Sequence, residues 1–279
     1  MSGSTRELEV LRRLARHRYL SRSHIEAFLF DGAPLGAVSK DVLTRRVLRR
    51  LRTRGLVSAT RRLVGGPGGG SARLGYALTE EGARLAGGAV RAARRRGRGT
   101  FLLAHSLMAA DVALAFGRSA QSNAGHELVD WESYEQGAAV LGSGLVPDAR
   151  LAYTTPAWRL DAFVEVDLAT EGTRFFSAKI GRYVDLYRSG TWRAHLPTWP
   201  AVLTVTPTLR RASALRVATE GVLASSAEWM ERATKFAFAP LDEVLGGCGP
   251  LGAIWQVAGR EGLQRLIPED GHKAPTVHD

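Results

Sequence analysis

The residues of this chain whose types and spacing could do chemistry fall into two sets. The first is acidic. Asp148 stands in Val146-Pro147-Asp148-Ala149, and Glu165 and Asp167 stand in Phe163-Val164-Glu165-Val166-Asp167. These segments belong to two short β-prone runs, residues 145–153 and 160–168, joined across a turn at Thr154-Thr155-Pro156-Ala157-Trp158. If the runs pair as an antiparallel hairpin, Asp148 and Glu165 come onto neighbouring strands. Residues two apart on a strand share a face, so two carboxylates can meet on one divalent ion. Such a hard oxygen site suits Mg²⁺ or Mn²⁺, which would activate water as a nucleophile. Lys179, in the helix that follows, could swing back as the cation of the site. It could equally pair with Glu165 or Asp167 as a structural salt bridge.

The second set is cationic. Residues 39–52 read as a helix, with Ser39 as the expected N-cap and Gly55 as the expected stop. Leu43, Val47, Leu48 and Leu51 recur at helical spacing and form its apolar stripe, while Arg45, Arg46, Arg49, Arg50 and Arg52 fall mostly off it. Two β-prone runs follow, residues 56–64 and 73–78, around the glycine-rich tip 65–71. They carry Arg61, Arg62 and Arg73. A solvated helix face does not need a basic hairpin beside it, so the pattern points to DNA. Lys40, Thr44, Arg45 and Arg49 are expected to approach the major groove, with Arg46 and Arg50 on the same basic helix. Arg61, Arg62 and Arg73 are expected on flanking phosphates or in the minor groove.

Charge localises this second set. Residues 1–100 hold 22 Lys or Arg against 7 Asp or Glu, a balance of +15, and the remaining 16 basic and 20 acidic residues give −4, for the net +11. One domain neutralising phosphates and another not doing so would give this asymmetry. A single cysteine, Cys248, excludes an internal disulfide and cannot by itself make a zinc site. Arginines interrupt the opening helix, so no leader is expected, and no run of about 18 apolar residues could span a membrane. A cytoplasmic protein is the expectation. The glycines at 65–70 lack the Gly-Lys-Ser/Thr ending of a phosphate loop. A histidine triad beside a catalytic tyrosine is also absent, which argues against relaxase chemistry.

The elements that must position these residues can be read in chain order. Residues 5–17 and 20–30 are expected as helices, the second opened by a serine cap, ahead of a turn containing Gly32, Pro34 and Gly36. His17 and His24 are assigned surface or capping roles. Leu78-Thr79-Glu80-Glu81-Gly82 opens a further helix. The basic segment 87–100 is either a helical extension along DNA or a tether. A helix over 101–119 is followed by strands at 127–134, 145–153 and 160–168, a helix at 173–188, a strand at 201–206, a helix at 210–225 and a strand at 234–238. Trp192, Trp199 and Trp229 are expected in the core. The division expected is 1–86, 87–100, 101–267 and a disordered tail 268–279.

The helix, glycine-tipped hairpin and Leu-Thr-x-x-Gly restart resemble the winged-helix form of the helix-turn-helix. Helix, three strands, helix, strand is the core order of the PD-(D/E)XK nuclease-like fold, which Pro147-Asp148 and Glu165-Val166-Asp167 also resemble. The fold class expected is therefore α/β (α+β), a winged helix-turn-helix followed by a PD-(D/E)XK-like α/β sandwich. The departure is that Asp167 stands where that superfamily carries its lysine, which weakens the group that would orient the attacking water. With Lys179-Ile180-Gly181-Arg182-Tyr183 added, the chain resembles the replication-relaxation family over roughly residues 5–240. That resemblance implies a role in replication, relaxation or transfer of plasmids and integrative elements of actinobacteria and Gram-positive bacteria, or in regulating those genes.

Three functions follow. The first is a double-stranded-DNA-binding homodimer with no cofactor and a non-catalytic nuclease-like domain, which would serve dimerisation or meet a plasmid replication or mobilisation protein. The second is a Mg²⁺-dependent endonuclease or nickase using Asp148, Glu165, Asp167 and Lys179, with Asp148 and Glu165 on the metal. The third is a ligand-sensing winged-helix regulator of transcription.

Overall fold

A computed structural model describes residues 3–60, 74–87, 99–133, 145–225 and 235–268. The chain is mixed α/β and divides into two compact units, Met1–Leu114 and Ala115–Asp279.

The first unit begins with α1 (Gly3–His17), β1 (Leu20–Ser21), α2 (Arg22–Phe30) and α3 (Ala37–Thr53). β2 (Val57–Ala59), β3 (Gly75–Leu78) and α4 (Glu80–Leu85) follow, and α5 (Gly99–Ser122) begins in this unit. Val10, Leu14, Leu20, Ile25, Val47 and Leu51 pack into one core with the residues of the strands. Each such side chain, fully buried, contributes about 2 kcal/mol. The three strands lie in the order β1-β3-β2, all antiparallel.

Several boundaries depart from the sequence expectation. α3 starts at Ala37 with Gly36 as its N-cap, so Ser39 sits inside the first turn and caps nothing. Gly55 does take the left-handed stop position, at φ 67°. Leu20 and Ser21 are drawn into a strand by pairing with Tyr76 and Gly75, and the helix opens behind them. Ser21 is its N-cap, in a capping box in which the His24 amide donates to the Ser21 hydroxyl and the Ser21 amide donates to His24 Nδ1. His17, expected at the surface or in a cap, is instead buried, its ring 4.8 Å from that of Phe28. Burial, with Arg13 nearby, holds His17 neutral, its pKa lowered to about 3. The hairpin expected between β2 and β3, with Arg61, Arg62 and Arg73, falls on residues 61–73, which lie outside the described residues, as do residues 88–98 of the basic segment.

Gly82 shows why the Leu-Thr-x-x-Gly restart needs its glycine. The Thr79 hydroxyl accepts from the Gly82 amide at 3.0 Å, and the Thr79 amide donates to the Leu56 carbonyl at 2.9 Å. A Cβ on Gly82 would lie 2.1 Å from that same carbonyl oxygen. Gly82→Ala is therefore expected to destabilise the unit by about 1–3 kcal/mol or more, because the obstacle is backbone. Chemical denaturation measures this, and an unchanged midpoint would contradict the packing described.

The second unit is built on a seven-stranded sheet in the order β10-β9-β8-β7-β6-β5-β4. β4 (Glu127–Ser133), β5 (Ala149–Thr154) and β6 (Arg159–Val166) form an antiparallel meander. α6 (Thr173–Ser189) and α7 (Leu209–Leu223) then make the crossovers to β7 (Ala201–Thr206) and β8 (Phe236–Pro240), which run parallel to β6. The short α8 (Leu241–Leu245), β9 (Trp255–Val257) and β10 (Leu263–Gln264) extend the sheet beyond anything expected from the sequence. Phe163, Phe176, Ile180, Tyr183, Val202, Leu215, Phe236 and Phe238 form the core between the sheet and its two helices. Trp192 and Trp199 join it, with ring centroids 5.5 Å apart, while Trp229 lies outside the described residues. Residues 269–279 lie outside them as well. No helix among the described residues is long and apolar enough to cross a membrane.

Candidate functional site

In the first unit the helical period of α3 sorts its side chains. Thr44, Val47, Leu48 and Leu51 are buried, and Arg45, Arg46, Arg49, Arg50 and Arg52 are exposed. Thr44 is a correction to the major-groove set. It is 0% exposed, and its hydroxyl donates to the Lys40 carbonyl at 2.8 Å. It takes a place in the buried stripe because it precedes Leu48 and Leu51 by four and seven residues, whereas Leu43 is only half-buried. Lys40 is also half-buried.

The arginines differ in what they are tied to. Arg45 pairs with Asp41 at 2.8 Å, and Asp41 also binds Arg22 at 3.0 Å. Arg54 pairs with Glu7 at 2.6 Å, with Arg50 at 4.0 Å from the same carboxylate. Arg49, Arg50, Thr53, Arg54 and Glu7 line a shallow depression between α1 and α3. Arg46, Arg49 and Arg52 make no ion pair among the described residues. Exposed arginines without acidic partners keep their full charge for an external anion.

In the second unit, the ladder brings Asp148 to Glu165. Ala149 pairs with Val164 across the β5–β6 hairpin, so the next residues outward, Asp148 and Glu165, stand opposite one another and share a face. The Asp148 amide donates to the Val164 carbonyl at 3.0 Å, and an Asp148 carboxylate oxygen accepts from the Val166 amide at 2.8 Å. Glu165 is 3% exposed beneath α6. Lys179 and Tyr183, four apart on that helix, reach it together. The Lys179 ammonium donates to one Glu165 oxygen and the Tyr183 hydroxyl to the other. Burial pushes the Glu165 carboxyl up to about 7, with Asp148 adding to the rise and Lys179 opposing it. Burial works against the Lys179 charge, but Glu165 and Asp148 outweigh it and raise its pKa. Burial, followed by the Glu165 charge, holds the Tyr183 phenol well above its ordinary range. Thr204, level with Glu165 on β7, is fully buried, and its hydroxyl has no hydrogen-bond partner among the described residues.

Asp167 does not join this cluster. It lies beyond the end of β6, where its amide donates to the Val205 carbonyl and its carboxylate accepts from the Ala169 amide at 3.1 Å. Arg211 of α7 grips both carboxylate oxygens, one of them at 3.1 Å, and also donates to the Glu171 carbonyl at 2.8 Å. Of the four residues named from sequence, three are gathered and one is held elsewhere. Two partners were missed in these roles. Tyr183 carried a signal, the four-residue spacing from Lys179. Arg211 carried none, being one arginine of a pair at the start of a helix.

Mg²⁺ is usually held by one or two carboxylates with waters completing its octahedron, and the carboxylates gathered here are engaged as follows. Both Glu165 oxygens already accept from protein donors, one Asp148 oxygen accepts from backbone, and Asp167 faces Arg211. Among the described residues no group of three or more His, Cys, Asp or Glu side chains is placed to hold a metal ion. The arrangement is a buried carboxyl group paired with an ammonium and hydrogen-bonded by a phenol, which can tie α6 to the sheet.

Comparison with protein families finds that residues 11–202 match the family described as replication-relaxation. Comparisons with curated proteins and with solved structures found no match.

Proposed function

Because the chain belongs to the replication-relaxation family, we propose that it is a double-stranded-DNA-binding protein acting in replication or relaxation of a plasmid or mobile element. Its first unit would bind as a winged helix, with α3 in the major groove. The second unit, a nuclease-like α/β fold without catalysis, would serve a homodimer or a partner protein. The observation that carries the reading is the outward face of α3, where Arg46 and Arg49 stand exposed and unpaired by any described acid. A duplex backbone is the polyanion that such a face neutralises, and the affinity should fall steeply with salt. The occupied oxygens of Glu165 support the non-catalytic half of the reading.

The experiment is electrophoretic retardation of duplex DNA in EDTA across a salt series, with wild type and Asp148→Ala side by side. Both proteins are expected to bind equally, and supercoiled plasmid is expected to stay intact in Mg²⁺ and in Mn²⁺. Nicking that disappears in Asp148→Ala would replace this reading with the nuclease. Failure to retard duplex even at low ionic strength would remove it altogether.

A further inference from the structure

The outward face of α3 is not uniformly cationic. Val38 is 80% exposed and Val42 48% exposed, and both stand in the same helix as the arginines. Val38, Val42, Arg45 and Arg49 are spaced four, three and four residues apart, the spacing that puts side chains in one line along a helix. Valine has no local reason to be there. Its branched Cβ makes it a weaker helix former than the straight-chain residues, and Val38 gains little by burial within this unit while Val42 leaves about half its surface open. Their line-mates bear guanidinium groups, so an occupant of the stripe must offer negative charge at one end and apolar contact at the other.

We infer that Val38 and Val42 read thymine C5-methyl groups in the major groove, at the end of the site entered by the start of α3. This rests on the DNA-binding reading above and adds to it the identity of the bases met. The major groove displays the thymine methyl beside the acceptor atoms of guanine that arginine reads. The first residues of a recognition helix are those that approach base edges, and Val38 is the second residue of α3. The line therefore specifies a short thymine-containing step followed by a guanine contact at Arg49, since Arg45 in the same line is paired with Asp41.

The test uses the full-length protein to enrich duplexes from a randomised library. Each thymine of the enriched site is then replaced by deoxyuridine, which removes only the methyl group, and affinity is measured by fluorescence anisotropy at fixed salt. One or two positions are expected to lose about fourfold in affinity each, the effect of one buried methyl group. The Val38→Ala, Val42→Ala double variant should keep the fold, since both side chains are exposed, and should bind thymine and deoxyuridine duplexes alike. Binding insensitive to deoxyuridine at every position, or an enriched site without thymine, overturns the inference while leaving DNA binding intact. A double variant that changes the oligomeric mass but keeps the deoxyuridine penalty marks the patch as a protein contact and overturns it too. Absence of binding to any duplex defeats both this inference and the reading beneath it.

Discussion

Lys179→Met is expected to destabilise the second unit strongly at alkaline pH and little near pH 5. The variant removes the ammonium from a carboxylate that is 3% exposed and leaves it only the Tyr183 hydroxyl. Removing one partner of a buried ion pair costs about 3–5 kcal/mol when the other stays charged. Glu165 can avoid that cost by taking a proton, and the sign of the pH dependence follows. In the wild type its pKa rises from 4.5 to about 7 on folding, chiefly through burial. The folded state therefore holds this proton more tightly. The stability so contributed is fully present below pH 4.5 and is lost as pH rises to about 7, by an amount of order 3 kcal/mol. Without Lys179 the rise is no longer opposed, so the loss continues above pH 7. Urea denaturation of both proteins at pH 5, 7 and 9 gives the difference directly. A difference that does not change with pH would mean that Glu165 is not the buried partner of Lys179.

The second large effect is expected at the outward face of α3. Replacing Arg46 and Arg49 together by alanine should weaken duplex binding by one to three orders of magnitude, since each good arginine contact to base or phosphate carries roughly a tenfold share or more. The slope of log affinity against log salt should fall by about 0.9 for each arginine that meets a phosphate. Thermal stability should not move, because both side chains are exposed and neither makes an ion pair among the described residues. Arg54→Ala is the internal contrast. Arg54 is bound to Glu7, so part of its charge is already answered within the protein. Equal losses from the two sets would mean that bulk charge, not the face of α3, determines binding.

Much of the fold follows from local pattern. Alternation and short apolar runs place strands at residues 127–134, 145–153, 160–168 and 201–206, where strands form at 127–133, 149–154, 159–166 and 201–206, and the 3.6-residue period places α1, α3, α6 and α7. These signals survive because each helix buries one face and the central strands bury nearly every residue, and burial selects residue type position by position. The ends are less legible. Ser39 has the chemistry of an N-cap, but α3 begins earlier, because the cap depends on backbone angles at Gly36 and on the turn before it. Leu20 and Ser21 read as helix because strand pairing with Tyr76 and Gly75 is a contact more than fifty residues away in the chain. The terminal strands β9 and β10 are too short to carry a period of their own.

By itself, then, the sequence determined the order of the longer helices and strands, the concentration of positive charge in the first hundred residues and the placing of Asp148 and Glu165 on neighbouring strands. All three depend on residue types and their spacing along the chain. Only the tertiary structure decided what the acidic set can do. Glu165 and Asp167 are two apart and nominally share a strand face, but the strand ends between them, and helices from elsewhere supply Lys179 and Tyr183 to one and Arg211 to the other. It likewise decided that Thr44 faces inward and that two valines face out. Which donor reaches a carboxylate, and which side of a helix meets the core, depends on packing between segments distant in sequence, and spacing within a segment does not encode that.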